Sequence, residues 1–316
     1  RGADWNDALD MAEEHGESVA FTCAYAGNLR ELAEMIRLLE SRSRDHETEV
    51  MEELGILHID DPEVYGNIQA KQEILDRYVR SCRRYVSGRR IRVRLSDLAR
   101  NLECKADWLT GCLKEQEWIS GENGEGWFNS YYDDHGHAVE GFFPDGVRMM
   151  LTGQVFAIMG NVATASQISS IVRSADHYLY RKEIGGYRLN TDFHELKFDM
   201  GRMFGFAYGE KENGAVFSHM TVMFANALYR RGFAREGWKA LKTLAETALD
   251  FDTSRIYPGI PEYFRADGRG MYHYLTGAAS WYMLTMVTQV FGVRGEAGDL
   301  IFDPKLCAEQ FDEQGR

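Results

Sequence analysis

The sequence is poor in paired cysteines and in metal-binding patterns. Its cysteines are scattered and none forms a C-x-x-C pair. An odd, unpatterned set is typical of reduced thiols, so we predict a cytoplasmic protein with neither a disulfide framework nor a zinc ribbon. No metal ion and no cofactor are expected. The five cysteines are Cys23, Cys82, Cys104, Cys112 and Cys307.

Positive charge is also scarce. The chain has 36 Lys and Arg against 49 Asp and Glu, a formal net charge of −13. Nucleic acids and anionic membranes both require basic patches, so neither is expected as the main partner. Any small anion must therefore be bound by a few local donors.

Long apolar runs and nucleotide-binding motifs are absent from the sequence. No apolar run reaches the roughly 18 residues of a membrane helix, so no membrane span is predicted. There is no GxGxxG after a strand, no P-loop lysine motif and no GxSxG elbow. Nucleotide use and serine hydrolysis therefore have no support.

The 316 residues are rich in apolar side chains at helical spacing. Hydrophobic residues make up 44% and aromatic residues 12%, which is a globular composition. Apolar residues recurring every three or four positions predict helices over 18–39, 68–85, 147–159, 164–181, 218–232, 234–250 and 277–291. Successive helices with long Gly- and aromatic-rich connections indicate a mainly α fold, a toroid of helical hairpins whose loops carry the chemistry.

The middle of the chain, about 86–144, differs from the rest and is interpreted as an insertion. Residues 89–94 alternate Arg with Ile and Val, a pattern that favours a solvated strand face over a nucleic-acid site. The aromatic, Gly-rich residues 126–137 predict a β-hairpin with a turn near Asp134–Gly136. His135 and His137 could form a metal pair, but the acidic residues and glycine around them favour an exposed turn. Near the end, residues 298–304 predict a strand.

The opening segment Asp4-Trp5-Asn6-Asp7 combines the residue types that a sugar site needs. An indole stacks on the C–H face of a pyranose, amides and carboxylates bind hydroxyls, and a carboxylic acid can protonate a departing glycosidic oxygen. An acidic loop that caps the following helix would explain the same residues equally well.

Two further segments lead into helices with polar or small residues. Residues 211–219 end in Ser218 and His219, and a His with free N–H groups at a helix N-terminus is suited to an oxyanion or a phosphate. A glycine turn with a capping Ser and a buried His is the alternative. Thr276 and Gly277 begin another helix, where tight packing on small residues is the alternative. A helical toroid would bring such helix starts to one rim.

Together these segments resemble glycoside hydrolase family 94, the inverting phosphorylases of β-glucosides. Within the family, the chain looks most like the 1,2-β-oligoglucan phosphorylases. The segments that carry the resemblance lie in the family's order along nearly the whole chain: residues 4–7, 16–19, 154–157, 211–219 and 276–281 for the family, and residues 127–129, 139–141 and 187–192 for the subfamily.

The resemblance implies a role for each site residue. Asp7 would be the general acid, and His219, Thr276 and the Gly277 backbone would bind phosphate. The residues implied on the sugar side are Trp5, Asp4, Glu212 and Gln154. The reaction would be inverting phosphorolysis of β-linked glucooligosaccharides, most of all β-1,2-linked ones, to α-glucose 1-phosphate. Inorganic phosphate would be a substrate and no cofactor would be needed.

The resemblance also implies a fold and a larger protein. Residues 1–297 would be the C-terminal part of an (α/α)6 barrel and residues 298–316 the start of a C-terminal β segment. The chain starts at Arg1, and in the family the phosphate-binding arginines precede the opening motif. We therefore expect a piece of a longer enzyme that needs the upstream polypeptide for activity. A homodimer is compatible with the resemblance.

Three other functions remain open at this point. The first is phosphorolysis of another β-glucoside, of the laminaribiose or cellobiose type. The second is an inverting glycosidase on the same barrel, which would need a base carboxylate. The third is a non-catalytic carbohydrate-binding domain, or the phosphorylase-like domain of a cyclic β-1,2-glucan synthase.

Overall fold

The computed structural model describes residues 4–59, 61–257, 259–273, 277–312 and 314–315. The chain divides into two compact units. The first consists of Arg1–Thr22 and Gln116–Arg316, and the second of Cys23–Glu115. The predicted insertion, about 86–144, has residues in both units, and its bounds, like the division at residue 297, stay predictions.

The fold is mainly α, as the sequence predicts. Each helix expected from apolar spacing is present within a few residues, and the last continues as a π-helix over Met286–Val290. The closed (α/α)6 barrel remains a prediction. The α-helices are α1 (Val19–Arg42), α2 (Pro62–Gly66), α3 (Ile68–Cys82), α4 (Leu95–Gln116), α5 (Leu151–Met159), α6 (Ala165–Tyr178), α7 (Ser218–Arg230), α8 (Ala234–Leu249), α9 (Phe251–Ser254) and α10 (Gly277–Thr285).

The strands are short and pair mostly as isolated antiparallel ribbons. In chain order they are β1 (Glu17–Ser18), β2 (Glu47–Met51), β3 (Arg90–Arg94), β4 (Trp118–Ser120), β5 (Gly126–Phe128), β6 (Tyr131–Tyr132), β7 (Gly141–Phe143), β8 (Gly146–Arg148), β9 (Tyr180–Arg181), β10 (Gly186–Tyr187), β11 (Val216–Phe217), β12 (Tyr263–Phe264), β13 (Gly270–Met271), β14 (Val293–Glu296) and β15 (Asp299–Phe302). The β14–β15 pair confirms the strand predicted near the end.

The arginine run lies in the second unit and forms the predicted solvated strand. β3 pairs with β2, so that Arg92 lies opposite Glu49. The side chains alternate between exposed and half-buried along both strands. Glu49 forms ion pairs with Arg90 at 3.6 Å and with Arg92 at 3.9 Å. Both pairs are exposed and therefore contribute little to stability. The next helix, α4, buries Leu95, Ala99, Ala106 and Leu113 along one face.

The core of the first unit is built around α7. From Ser218 to Tyr229 this helix has no Asp, Glu, Lys or Arg, and almost all of its side chains are buried. A helix without a charged face must be covered on all sides, and α5, α8 and α10 pack against it. Gly237 permits the close approach of α8, since a Cβ there would lie 2.5 Å from the Tyr229 ring.

Two strand pairs position the segments that matter for function. The sheet β11–β12–β13 leads directly into α7 and fixes the position of Phe217. β1 pairs with β6 so that Ser18 lies opposite Tyr131. The turn predicted near Asp134–Gly136 follows β6, with Gly136 donating its N–H to the Asp133 carbonyl at 3.0 Å. The hairpin therefore lies against the opening segment.

No helix within the described ranges combines the length and apolar character needed to cross a membrane.

Candidate active site

Asp4 is the buried anchor of the opening segment. Ser18 donates its hydroxyl to one carboxylate oxygen of Asp4 at 2.6 Å, and Tyr131 donates to the other at 2.6 Å. Burial raises the pKa of Asp4, and these hydrogen bonds offset only part of that effect. Asp4 therefore holds the loop in place through two neighbouring strands, β1 and β6.

Tyr131 also orients Asn6, which is fully buried. The tyrosine oxygen lies 2.8 Å from the side-chain amide of Asn6 and 2.6 Å from Asp4. The Tyr131 hydroxyl carries one proton, so it can donate to Asp4 or to Asn6 but not fully to both. If it donates to Asp4, the Asn6 side chain must present its NH2 group to the tyrosine oxygen. Burial and the charge of Asp4 raise the pKa of Tyr131 well above its usual range. The hydrogen-bonded trio fixes Trp5 between its two anchored neighbours.

Asp7 lies at the tip of the loop in a left-handed conformation, with φ of 53°. Residues 200–203 follow its backbone closely: Met203 donates its N–H to the Asp7 carbonyl at 3.3 Å. A Cβ on Gly201 would lie 2.4 Å from that carbonyl oxygen, so only glycine permits this approach. The backbone of the loop is thus fixed from a segment almost two hundred residues away.

The carboxylate of Asp7 pairs with Arg202. The guanidinium donates to Asp7 Oδ2 from Nε at 2.9 Å and also from Nη2. The backbone N–H of Arg202 is held by Asp10 Oδ1 at 2.8 Å. About two thirds of the Arg202 side chain and one third of the Asp7 side chain are exposed. Sequence reasoning missed Arg202, because no local pattern distinguishes it from other surface arginines.

Trp5 connects the opening loop to the start of α7. Its ring centre lies 5.4 Å from that of Phe217 and 5.5 Å from that of His219, both in edge-to-face geometry. The predicted donor-sugar residue and the predicted phosphate residue are therefore direct neighbours.

His219 lies between the N-termini of α7 and α10. A Cβ on Gly277 would lie 3.0 Å from the His219 ring, so the glycine lets α10 begin directly against the imidazole. Burial lowers the pKa of His219, which leaves the ring neutral near pH 7. Its Nε2 and the Ser218 hydroxyl are buried and have no hydrogen-bond partner within the described part of the chain. Thr276, the other predicted phosphate residue, lies outside the described residues.

A tight turn presents Lys211 and Glu212. It is closed by an antiparallel bridge between Glu210 and Asn213, and Lys211 has a left-handed backbone with φ of 47°. Asn190 accepts the Gly214 N–H at 2.7 Å and holds the base of the turn. Burial raises the pKa of Glu212, and the negative charge of Asp7 contributes to the same shift.

Gln154, unlike the other predicted site residues, lies within a buried helix. It is fully buried in α5, where its Oε1 accepts the Phe128 N–H at 2.8 Å. Its Nε2 donates to the carbonyls of Phe128 at 2.7 Å and Met150 at 3.0 Å. This arrangement locks β5 to α5 and uses both amide protons. The predicted sugar contact of Gln154 therefore gains no support from its position.

His135 and His137 lie in the exposed turn that the sequence favoured. About three quarters of each side chain is accessible to solvent. Asp133 accepts the backbone N–H groups of both, at 3.0 and 2.9 Å. Across the residues that the structure describes, no group of three or more His, Cys, Asp or Glu side chains is arranged to hold a metal ion.

Comparison with known proteins supplies the family of the chain. The model of the glycosyl hydrolase 94 superfamily catalytic domain matches residues 78–292, more than half of the sequence. Cellobionic acid phosphorylase of Neurospora crassa is 26% identical over 226 residues, which are 67% of this chain and 27% of that protein.

Two relatives from Paenibacillus borealis are similar at comparable levels. 3-O-beta-D-glucopyranosyl-beta-D-glucuronide phosphorylase is 24% identical over 193 residues, 58% of this chain and 25% of that protein. Solabiose phosphorylase is 27% identical over 186 residues, 56% of this chain and 24% of that protein. The chain thus spans about a quarter of the length of these relatives. Among solved structures, a sialidase is similar at 12% identity, and the match covers 90% of this chain and 26% of the sialidase chain. Its TM-score of 0.42 is too low to define the fold.

Proposed function

Because this chain belongs to the glycosyl hydrolase 94 superfamily, we propose that it forms part of the catalytic domain of an inverting phosphorylase of β-linked glucosides. The observation that carries the proposal is the contact of Trp5 with His219, next to the start of α10 at Gly277. It joins a sugar-stacking ring to an anion-binding helix start, and Asp7 follows Trp5 by two residues. The three relatives are all named as phosphorylases, which supports the same reaction class.

In the proposed reaction, phosphate attacks the anomeric carbon of the terminal glucose from the side opposite the leaving group. A C–O bond to phosphate forms while the glycosidic C–O bond breaks through an oxocarbenium-like transition state. Asp7 gives its proton to the departing oxygen. The products are α-glucose 1-phosphate and the shortened sugar. Phosphate is already an anion, so no carboxylate base is required, and no cofactor takes part.

His219 and Gly277, with Thr276, are proposed to bind the phosphate. The first residue of α10, Gly277, lies against the His219 ring in the first turn of α7, and helix N-termini carry free N–H groups and a positive dipole end that favour anions. The unpartnered Nε2 of His219 and hydroxyl of Ser218 are polar groups that a bound oxyanion would satisfy. Such local donors can hold an anion even in a chain of net charge −13.

Trp5, Asp4, Glu212 and Gln154 are proposed on the sugar side. Trp5 is suited to stack on the donor glucose, and Asp4 fixes the loop that carries it. Glu212, whose burial raises its pKa, is suited to bind a hydroxyl. Gln154 would act through the position of β5.

We further propose the finer features that the sequence resemblance implies. These are an (α/α)6 barrel completed by upstream polypeptide, a cytoplasmic location and β-1,2-linked glucooligosaccharides as substrates. The relatives' names differ in the sugar that is released, and two of them specify acids. Family membership therefore supports the donor chemistry more strongly than the leaving sugar.

The test is to incubate the intact enzyme with α-glucose 1-phosphate and a panel of sugar acceptors and to measure phosphate release. We expect release with at least one acceptor, and a disaccharide product. In the reverse direction, turnover must require phosphate. Cleavage at an equal rate in phosphate-free buffer would instead identify a glycosidase, and sugar binding without turnover would identify a binding domain.

A further inference from the structure

An apolar cleft of about 320 Å³ lies within the second unit. Side chains from α1, α3, α4 and the segment before α3 line it, among them Leu29, Ile59, Tyr65, Leu75, Trp108 and Leu109. Pockets of this size with apolar and aromatic walls and a few polar groups are typical binding sites for small molecules, and they often lie between helices. The cleft is therefore a candidate ligand site outside the proposed active site.

One wall of the cleft is fixed by hydrogen bonds between α4 and the segment before α3. Asn101 of α4 donates to the Ile59 carbonyl at 2.7 Å. Lys105, one turn later, donates to the Leu57 carbonyl at 2.6 Å. Tyr65 donates its hydroxyl to the same Ile59 carbonyl at 2.8 Å, and both Asn101 and Tyr65 are buried. This wall is therefore preformed in the free protein.

The opposite wall, α3, is incompletely covered. Its apolar residues lie on one face, yet none of its side chains, all of which the structure describes, is buried. Leu75 is 49% exposed and Ile68 is 80% exposed. Most of the stability of a short amphipathic helix comes from packing of its apolar face. The cleft follows this face at Ile74 and Leu75, so a ligand there would cover apolar surface that the free protein exposes.

The charge at the cleft is opposite to that of the chain. Its charged lining residues are Lys71 and Lys105, and no Asp or Glu is among the described residues that line it. The Nζ of Lys71 lies 4.8 Å from the centre of the Trp108 ring. The chain as a whole has a formal net charge of −13. Two ammonium groups beside apolar walls favour a ligand that joins an apolar body to a negative charge.

We propose that the cleft binds an apolar carboxylic acid whose body is about the size of two fused six-membered rings. An apolar cavity of about 150 Å³ accommodates one benzene molecule, and this cleft has about twice that volume. In the complex, the rings contact Leu75, Trp108 and Leu109, and the carboxylate lies beside Lys71 and Lys105. The described residues that line the cleft all belong to the second unit, so the proposal goes beyond phosphorolysis and does not depend on it.

The experiment measures the binding of three naphthalene derivatives of similar size to the intact protein by isothermal titration calorimetry. They are 2-naphthoate, 2-naphthamide and 2-naphthylmethylamine, which are an anion, a neutral molecule and a cation near neutral pH. We expect 2-naphthoate to bind with a dissociation constant of about 100 µM or below. The amide should bind about tenfold more weakly, the value of a hydrogen bond to a charged group, and the cation more weakly still.

Leu75→Trp tests the place of binding. Leu75 is half exposed at the wall of the cleft, so the larger side chain can occupy the cleft without entering the core. The affinity for 2-naphthoate should fall at least about tenfold, because the rings lose their space. Leu39→Trp is the matched control, since Leu39 is 54% exposed on α1 and lies outside the cleft. It should leave binding unchanged.

Lys71→Gln tests the charge. It should lower the affinity for 2-naphthoate about fivefold, the value of one exposed ion pair, and leave the affinity for 2-naphthamide nearly unchanged. Lys114→Gln, at a lysine of α4 outside the cleft, is the control and should change neither. Circular dichroism and thermal unfolding check that each variant is folded.

Four results would overturn the proposal. Equal affinity for the three compounds would exclude selection for an acid, and full binding by Leu75→Trp would place the ligand elsewhere. Absence of saturable binding to the intact protein would mean that the cleft is not a ligand site. Loss of self-association in Leu75→Trp but not in Leu39→Trp, measured by light scattering, would assign the cleft to a second copy of the chain. Each of these results leaves the proposed phosphorylase function standing.

Discussion

The proposed phosphate side and the proposed leaving-group side of the candidate site differ in burial and in charge balance. On the phosphate side, formed by Ser218, His219 and Gly277, the polar atoms are buried between two helix starts. No carboxylate is hydrogen-bonded to the His219 ring within the described part of the chain. The groups there are positioned by the core helix α7 and lack a partner in the free protein.

The proposed leaving-group side lies around Asp7, with Arg202 and Lys211, and its charged groups are more exposed and already paired. Asp7 and Arg202 satisfy each other, and Lys211 lies over two rings. Under the proposed function, the first side would be preformed for a small anion, whereas on the second side a bound substrate would have to compete with the ion pair between Asp7 and Arg202.

The largest effect is expected from Asp7→Asn. An amide cannot donate the proton, so kcat/KM for phosphorolysis should fall by about a thousandfold, within the range of general acid catalysis. An aryl glucoside with an acidic leaving group needs little protonation and should retain most of its rate, as steady-state kinetics on both substrates would show. Asp107→Asn, at an exposed carboxylate paired with Arg30, is the control. Equal losses on both substrates would contradict the role of Asp7.

His219→Gln should come next. Loss of the imidazole removes a donor from the buried phosphate side, so KM for phosphate should rise by about a hundredfold while KM for the sugar changes little. The measurement is initial rate against phosphate concentration. His177→Gln is the control, because His177 is an exposed histidine paired with Glu125 at 2.7 Å. It should leave KM for phosphate unchanged. A rise in KM for the sugar alone would contradict phosphate binding by His219 and would favour a role in sugar binding.

Gly277→Ala should have a smaller effect on the same parameter. The added methyl group would lie 3.0 Å from the His219 ring, so ring and helix must separate slightly. We expect KM for phosphate to rise about tenfold, the value of one weakened hydrogen bond. Gly111→Ala in α4, where a Cβ meets no atom within 4 Å, should leave phosphate binding unchanged. If Gly277→Ala binds phosphate normally, the two helix starts do not share a ligand.

The smallest effect concerns stability against pH. Burial lowers the pKa of His219 in the folded state, so the unfolded chain binds this proton more readily and stability falls as the pH drops below about 6.5. The contribution should be less than about 1 kcal/mol, because the partly exposed ring is screened by solvent. Thermal unfolding between pH 7.5 and 5.5 should show a shallower decline in His219→Gln. Saturating phosphate should make the decline in the wild type shallower. A decline in His219→Gln as steep as that of the wild type would contradict a buried, neutral His219.

Much of the local structure could be predicted from the sequence, because it depends on spacing within one segment. Apolar periodicity located α1 and α7, and the alternation of Arg with Ile and Val identified β3 as a solvated strand. The hairpin turn after Tyr132 followed from its acidic and glycine residues. These features need no information from distant parts of the chain.

The network around the loop of residues 4–7 could not be predicted, because its partners are distant in sequence. Tyr131 is 125 residues from Asn6, and Arg202 is 195 residues from Asp7. Nothing in the residues next to Tyr131 or Arg202 indicates these contacts. Gln154 illustrates the opposite case: its motif suggested a sugar contact, but its side chain hydrogen-bonds the backbone of Phe128, which is 26 residues away. Tertiary pairing, which spacing cannot reveal, decides both outcomes.

The 195 residues between Asp7 and Arg202 also set an order of events during protein synthesis. At about 5–20 residues per second, the loop that carries Asp7 leaves the ribosome roughly 10 to 40 s before the guanidinium that pairs with it. Ser18 and Tyr131, the partners of Asp4 and Asn6, are synthesised within that interval, whereas Asp7 remains a hydrated carboxylate without its guanidinium until the end of it. Closing such long loops is slow compared with forming helices, so we expect the contact between Asp7 and Arg202 to form after the local helices.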